Sequence, residues 1–333
     1  VPAEGLPPQG PEPVSALLTE AFGVSGYVQG FPHVFSTDNA HNVFLFREGG
    51  KDAVGGEVRA VCAGWEVAWP TGDAHVGLVR GFCVGSVATA RGFEGRGYAS
   101  AVLACAIDAA RVRGIDAICL FSEKKRLYEK AGFVSAGGDA FVFLHPLASA
   151  ASGAANNAVL VARHATLVKT GFGRTRIFCS VPASEAPLEK LAQAILDFSA
   201  RCAPTLSRLD AKELRTLLSI PDMQLRWLES DGAMRALCFV GKGHDFQGVM
   251  HGLLATSWDD AVYLLGESWR NAPDETVTLL VESFARECAR FFTVEKSDAV
   301  SFLYKCLGNC DRPARISDLF RAKRLRVRGL QSC

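Results

Sequence analysis

The sequence predicts an α/β (α+β) fold in two consecutive units, each a twisted mixed sheet flanked by helices. Three observations carry this expectation. The 333 residues exceed one ordinary domain and suffice for two sizeable cores. Ala148-Ser-Ala-Ala-Ser-Gly-Ala-Ala-Asn-Asn157 has no large apolar group and reads as a linker between units 1–147 and 158–333. On both sides of it, short apolar strand-like segments alternate with segments of helical period.

Val1 to Pro11 is rich in proline and glycine and reads as an irregular start. Pro13 to Phe22 has helical spacing, Asn42 to Arg47 reads as a strand closed by Glu48-Gly-Gly, and Val58 to Trp69 and Val79 to Ala88 read as long strands. The segment Val87-Ala-Thr-Ala-Arg-Gly-Phe-Glu-Gly-Arg-Gly-Tyr-Ala-Ser100 then packs glycines and arginines between that strand and a helix. Such a turn suits an anion, because glycines let the backbone approach closely and the first helical N–H groups lack internal partners. A Walker loop would need Lys-Ser or Lys-Thr after its second glycine, and Tyr98-Ala99 follows Gly97 instead. The dinucleotide pattern needs a third glycine where Ser100 stands.

Beyond the turn, Val102, Cys105, Ala109 and Val112 recur at helical spacing up to Gly114, a stop. Ala117 to Phe121 reads as a buried parallel strand, and Ser122 to Phe133 as a short helix ending in Gly-Phe.

Two motifs in this order carry a family resemblance. Glu94-Gly-Arg-Gly97-Tyr-Ala99 is similar to the pyrophosphate loop Arg/Gln-x-x-Gly-x-Gly/Ala at every position but the first, and Tyr128-Glu-Lys-Ala-Gly132-Phe133 is similar to a later Tyr-x-x-x-Gly-Phe segment. Residues 76–145 thus resemble the core of the GNAT superfamily of acyl-coenzyme A dependent N-acyltransferases. The resemblance implies acetyl-CoA as acyl donor and an amine of a small molecule or peptide as acceptor, joined by direct attack. It implies that Gly95, Arg96, Gly97, Tyr98 and Ala99 hold the pyrophosphate, with Glu94 at the loop's first position. It also implies that a splayed strand pairs its backbone near Ser86, Val87 and Ala88 with the pantetheine arm, and that Ser122 and Glu123 border the cofactor.

Tyr128 takes the place of the general acid, since a phenol stays protonated at neutral pH and can protonate a departing thiolate. The general base is open among Glu66, Asp73 and His75, or a water chain. The segment from Gly30 to Asn42 is expected as a loop over the acceptor, lining a pocket or simply packed. Glu94 has the wrong sign for its place: a carboxylate about 6 Å from a phosphate costs on the order of 1–3 kcal/mol. An alternative function is therefore a non-catalytic acyl-CoA-binding or regulatory module.

The second half repeats the element order. Leu188 to Phe198, Asp210 to Leu218, Ala261 to Trp269 and Ser283 to Phe291 read as helices, and Gln224 to Glu229, Ala233 to Val240, Val249 to Leu254 and Thr276 to Val281 as strands. Ala255-Thr-Ser-Trp-Asp-Asp260 lies where a cradle would be and has no Gly-x-Gly, so no acyl-CoA site is expected there. This layout resembles the first two thirds of the enhanced-intracellular-survival acetyltransferases, whose degenerate second GNAT domain helps wall the acceptor pocket. An unrelated α/β binding domain is the other reading.

Composition excludes other classes. The net charge of +1 gives no general attraction to nucleic acid, and the basic tail within Arg312 to Arg328 reads as a solvated helix face. Cys306-Leu-Gly-Asn-Cys310 lacks a second pair or a nearby His, so no metal is expected. Eleven cysteines, an odd number in apolar segments, suit a reducing compartment, expected to be the cytoplasm. No apolar run reaches about 18 residues and no charged-then-apolar leader opens the chain, so neither a membrane span nor export is expected. Oligomerisation is left open.

Overall fold

A computed structural model describes residues 2–4, 12–49, 56–71, 74–136, 141–146, 176–182, 188–202, 214, 218–242, 249–271, 276–279, 292–297, 301–308 and 311–322. The strands, in chain order, are β1 (Pro2–Glu4), β2 (Val43–Glu48), β3 (Glu57–Pro70), β4 (Leu78–Thr89), β5 (Ala117–Ser122), β6 (Val134–Ser135) and β7 (Phe141–Pro146). They continue with β8 (Arg176–Pro182), β9 (Gln224–Ser230), β10 (Ala233–Val240), β11 (Val249–Ala255), β12 (Thr276–Leu279), β13 (Phe292–Ser297) and β14 (Ser301–Cys306).

These strands form two seven-stranded sheets of one topology. The first runs β1-β2-β3-β4-β5-β14-β6, and the second, read from its matching edge, runs β8-β9-β10-β11-β12-β7-β13. In each, the fourth and fifth strands are parallel and the other pairs antiparallel. The sixth position is exchanged: β7 sits in the second sheet and β14 in the first. The chain passes to the second sheet between β6 and β7 and returns between β13 and β14. The small-residue stretch 148–157 lies outside the described residues.

The sequence reading contains no strand at β13 or β14 and treats Val1 to Pro11 as irregular, whereas β1 pairs with β2 over Pro2↔Phe46 to Glu4↔Phe44. β14 has a clear physical reason. Phe302, Leu303 and Tyr304 are at most 1 % exposed, as a strand covered on both faces requires. Leu303 joins the core of Val102, Leu103 and Tyr128, while Phe302 and Tyr304 face the other side with Trp69 and Phe320.

Helix α1 (Glu12–Phe22) buries Val14, Leu17 and Leu18, an i, i+3, i+4 stripe, and stops at Gly23. The segment from Gly30 to Asn42, expected as a loop, starts at the end of a single-turn helix, α2 (Tyr27–Gly30), and continues through a second, α3 (Pro32–Phe35), into a 3-10 turn over Thr37–Asn42. α4 (Tyr98–Val112) buries Val102, Leu103, Ala106, Ile107 and Ala110. Its inward face is rotated from the expected stripe. Val112 is 89 % exposed, while Leu103 and Ile107 turn inward with Val102. α5 (Lys125–Lys130) is short, and α6 (Leu188–Cys202) and α7 (Trp258–Asn271) flank the second sheet's strands in sequence. The segment expected as a helix over 283–291 and most of that over 210–218 lie outside the described residues.

The last helix, α8 (Asp311–Arg321), has a buried apolar face as well as its solvated basic one. Ile316, Leu319 and Phe320 are buried against the first sheet, with Phe320 stacked on Tyr304 at 4.6 Å. Arg312 donates to both Asp116 carboxylate oxygens and to the carbonyls of Val76 and Leu78. Arg315 and Arg321 are exposed, and residues 323–328 lie outside the described ones.

Candidate active site

The central opening of the first sheet follows from two features of β4. It pairs with β5 only at Gly81↔Ala117, Phe82↔Ile118 and Cys83↔Cys119, so beyond Cys83 the two strands part. Against β3, a register shift sets Gly85 and Ser86 opposite Ala63 alone. This bulge bends β4 and re-aims its backbone. The β5-facing edge around Ser86, Val87 and Ala88 therefore has no strand partner among the described residues, as the expected pantetheine groove requires.

The loop after β4 is held to the sheet by Ala90 N–H donating to the Arg59 carbonyl at 2.8 Å. Gly92, Gly95 and Gly97 have φ of 78°, 77° and 84°, and a Cβ placed on any of them would meet no atom within 4 Å. The space above them is open. Gly97 is the N-cap of α4 and supplies no side-chain cap, and the first intrahelical bond runs from Ala101 N–H to Gly97 at 2.9 Å. The N–H groups of Tyr98, Ala99 and Ser100 precede that ladder, at the positive end of the helix dipole. Tyr98 is fixed by stacking on Phe46 at 4.2 Å, and the Arg59 and Arg96 guanidinium groups lie 3.8 and 4.7 Å from the Phe93 ring centre. This cradle fits a diphosphate.

Glu94 is exposed in the loop and makes no ion pair among the described residues. Removing the charge relieves the cost to a nearby phosphate, so Glu94→Gln is expected to tighten acetyl-CoA binding by about five- to 150-fold. Titration calorimetry at low and high salt checks this, the gain shrinking as salt screens the repulsion.

The second sheet meets the same position differently. There the N-terminus of α7 is filled by its own carboxylate: Asp260, 2 % exposed, accepts from Ser257 Oγ at 2.7 Å and Thr256 Oγ1 at 3.0 Å and lies 3.3 Å from Arg235. Ser257 in turn accepts from Asp260 N–H. An outside anion would have to displace that carboxylate.

Tyr128 is 7 % exposed in the core beneath α4 and packs edge-on against Phe133 at 5.9 Å. Ser122, at the end of β5, lies near its hydroxyl, and Ser122 Oγ accepts from Lys124 N–H at 3.0 Å. Burial, with a smaller contribution from Cys62, pushes the phenol's pKa up to about 12, opposed by the nearby Ser122 side chain. The helix bearing it closes through Gly132, whose φ of 85° favours glycine, with Phe133 N–H donating to the Tyr128 carbonyl at 3.0 Å. Lys305 of β14 donates to the Ala131 carbonyl at that helix end. Glu123 is exposed beside Ser122.

The proposed bases do not converge on the opening. Glu66 is engaged by Arg80 and Arg113, each at 3.5 Å. His75 is exposed in the β3–β4 turn, roughly 25 Å or more along the strand from the bulge. Asp73 lies outside the described residues. Two residues the sequence reading did not single out lie on the opposite face of the sheet from α4. Tyr27 Oη is 3.2 Å from Ser86 Oγ at the bulge. His33 is fully buried with neither ring nitrogen hydrogen-bonded among the described residues, and burial, with the Lys242 charge, holds its pKa well below 6.5. A lone His in a short segment carries no periodic or motif signal.

Among the described residues no group of three His, Cys, Asp or Glu side chains could hold a metal ion, and no helix is long and apolar enough to cross a membrane. Seven described cysteines are unbridged, and burial pushes the Cys62 and Cys306 thiols up to about 12. Cys310 lies outside the described residues.

No protein-family model matches the chain, and no curated protein matches it in sequence. Solved structures do match in fold. A GCN5-related N-acetyltransferase from Kribbella flavida aligns over 92 % of this chain and 71 % of its own, at 12 % identity and TM-score 0.59. A second, from Anabaena variabilis, covers 92 % and 73 %, at 13 % identity and TM-score 0.60. Eis1 from Mycobacterium abscessus covers 90 % and 72 %, at 13 % identity and TM-score 0.50. The likeness is one of fold, and with the repeated sheet topology it gives this chain a GNAT fold laid out in tandem.

Proposed function

We propose that the protein is an N-acetyltransferase that moves the acetyl group of acetyl-CoA to a primary amine of a small molecule or peptide. The observation that carries the reading is that the uncapped start of α4 follows the end of β4 where it splays from β5, with Tyr128 in the core under α4. Loop amides at 95–99 would hold the pyrophosphate, the free edge of β4 at 86–88 the pantetheine, and Ser122 and Glu123 would border the arm. Acetyl-CoA supplies an activated thioester. Tyr128, protonated at neutral pH, would protonate the leaving sulfur. Cofactor binding is assigned to the first sheet, and the second unit is assigned to walling the acceptor side, with 148–157 as the connection between the two chain halves. The fold of the solved neighbours supports acyl transfer in general.

Release of coenzyme A thiol, followed with spermidine, kanamycin, tryptamine and a seryl tripeptide, tests the reading. Amine-dependent release supports a transferase. Tight acetyl-CoA binding without release for any amine favours the non-catalytic module instead, a role that exposed Glu94 would fit.

A further inference from the structure

We propose that His33 is the group that receives the proton of the attacking amine. The inference rests on the transferase reading and names the acceptor side of that site. Buried polar groups are almost always hydrogen-bonded, and an exception calls for a missing partner. His33 is 0 % exposed and both of its ring nitrogens are unpartnered among the described residues.

Its position fits an acceptor. The ring stands edge-on to Trp65 of β3 at 5.5 Å. Trp65 is two residues, about 7 Å, from Ala63, which lies opposite the Gly85–Ser86 bulge. The segment carrying His33 is pinned to this place, because Asn39 Nδ2 donates to the Val34 carbonyl at 2.7 Å and to the Gly64 carbonyl of β3 at 2.8 Å. On the other side, rings of Phe31 and Tyr27 link His33 to the Ser86 hydroxyl.

The two proposed proton-transfer groups then flank the sheet. Phe31, Val34, Ala63 and Ala88 share the core on the His33 side, whereas Cys62, Val84 and Tyr128 share the core on the α4 side. An amine arriving from the His33 face attacks through the gap between β4 and β5, and the sulfur leaves toward Tyr128. The nitrogen–carbon bond forms, the carbon–sulfur bond breaks, the nitrogen's proton passes to His33 directly or through one water, and Tyr128 protonates the sulfur. Solvent carries the His33 proton back to Tyr128. A neutral imidazole of low basicity suffices, since nitrogen becomes far more acidic once bonded to the carbonyl carbon.

His33→Phe and His33→Gln test this with the fastest amine of the panel. Phenylalanine fills the apolar nest and removes unsatisfied nitrogens, so the melting temperature is expected to hold or rise while kcat falls about 100-fold. Glutamine should lower kcat comparably, with the acetyl-CoA Kd of both variants within about twofold of the wild type. Turnover within about threefold of wild type in either variant overturns the assignment. So does a fall in kcat that comes with a lower melting temperature or weaker acetyl-CoA binding, the pattern of a structural residue. An active wild type with active variants overturns His33 alone, whereas a wild type that neither binds acetyl-CoA nor acetylates any amine overturns the transferase reading with it.

Discussion

Tyr128→Phe is expected to lower kcat by about ten- to a hundredfold while leaving the Kd for acetyl-CoA nearly unchanged. The substitution removes one oxygen from a ring that stays packed on Phe133, so the core keeps its shape. On the proposed mechanism, what is lost is the proton donor. Because burial raises the phenol to about 12, Tyr128 remains a donor across the whole assay range, and the alkaline limb of the rate profile should not arise from it below about pH 11. The linkage has a definite sign. The folded pKa lies above the unfolded one, so this contribution to stability is complete below pH 10 and is lost as pH rises toward 12, and Tyr128→Phe should blunt that alkaline loss. A variant retaining more than about a third of wild-type kcat would remove Tyr128 from the chemistry.

Ending the chain after residue 157 is expected to abolish acetyl-CoA binding, although every residue assigned to the cofactor lies before that point. The first sheet would lose β14, which pairs with all six residues of β5 and with β6. It would also lose α8 and the Arg312 clasp on Asp116. β5 and β6 would be left as unpaired apolar edges, and Tyr128 would lose both Leu303 beneath it and Lys305 at the end of its helix. A milder probe separates folding from position. Leu303→Ala in the full chain leaves a cavity in the core shared with Tyr128 and should cost about 2–5 kcal/mol of stability, read from denaturant unfolding. A truncated chain that binds acetyl-CoA as the full chain does would show that β14 is dispensable.

The parts of this structure legible in the sequence are those set by neighbours in the chain. Gly95 and Gly97 could be read as a cradle because a positive φ and a helix start are local events, and Tyr128 because its distance from Gly132-Phe133 is the length of one short helix. What escaped is non-local. The run Phe302-Leu-Tyr304 is too short to declare its partner, and nothing near it points 180 residues back to β5. β1 lies in a Pro/Gly-rich stretch that pairing to β2 overrides. Residues 27–42 show no helical period because they turn three separate times, with Asn39 and Asn42 supplying side-chain bonds in place of a ladder. The rotated face of α4 is a subtler case: Val102, Leu103 and Ile107 face the sheet with Ala106 and Ala110, whereas Val102, Cys105, Ala109 and Val112 also recur at helical spacing and mark a neighbouring stripe.

The open helix start at Gly97 is the premise on which every assigned role depends, and comparative titration of acetyl-CoA and acetyl-pantetheine addresses it most directly. The two ligands share the thioester arm and differ in the diphosphate-bearing half. If the loop amides grip that diphosphate, acetyl-CoA binds at least about tenfold more tightly than acetyl-pantetheine, and Gly97→Val, which forces a β-branched residue into φ of 84°, erases the difference. Equal affinity for the two ligands, or an acetyl-CoA affinity untouched by Gly97→Val, would contradict the account.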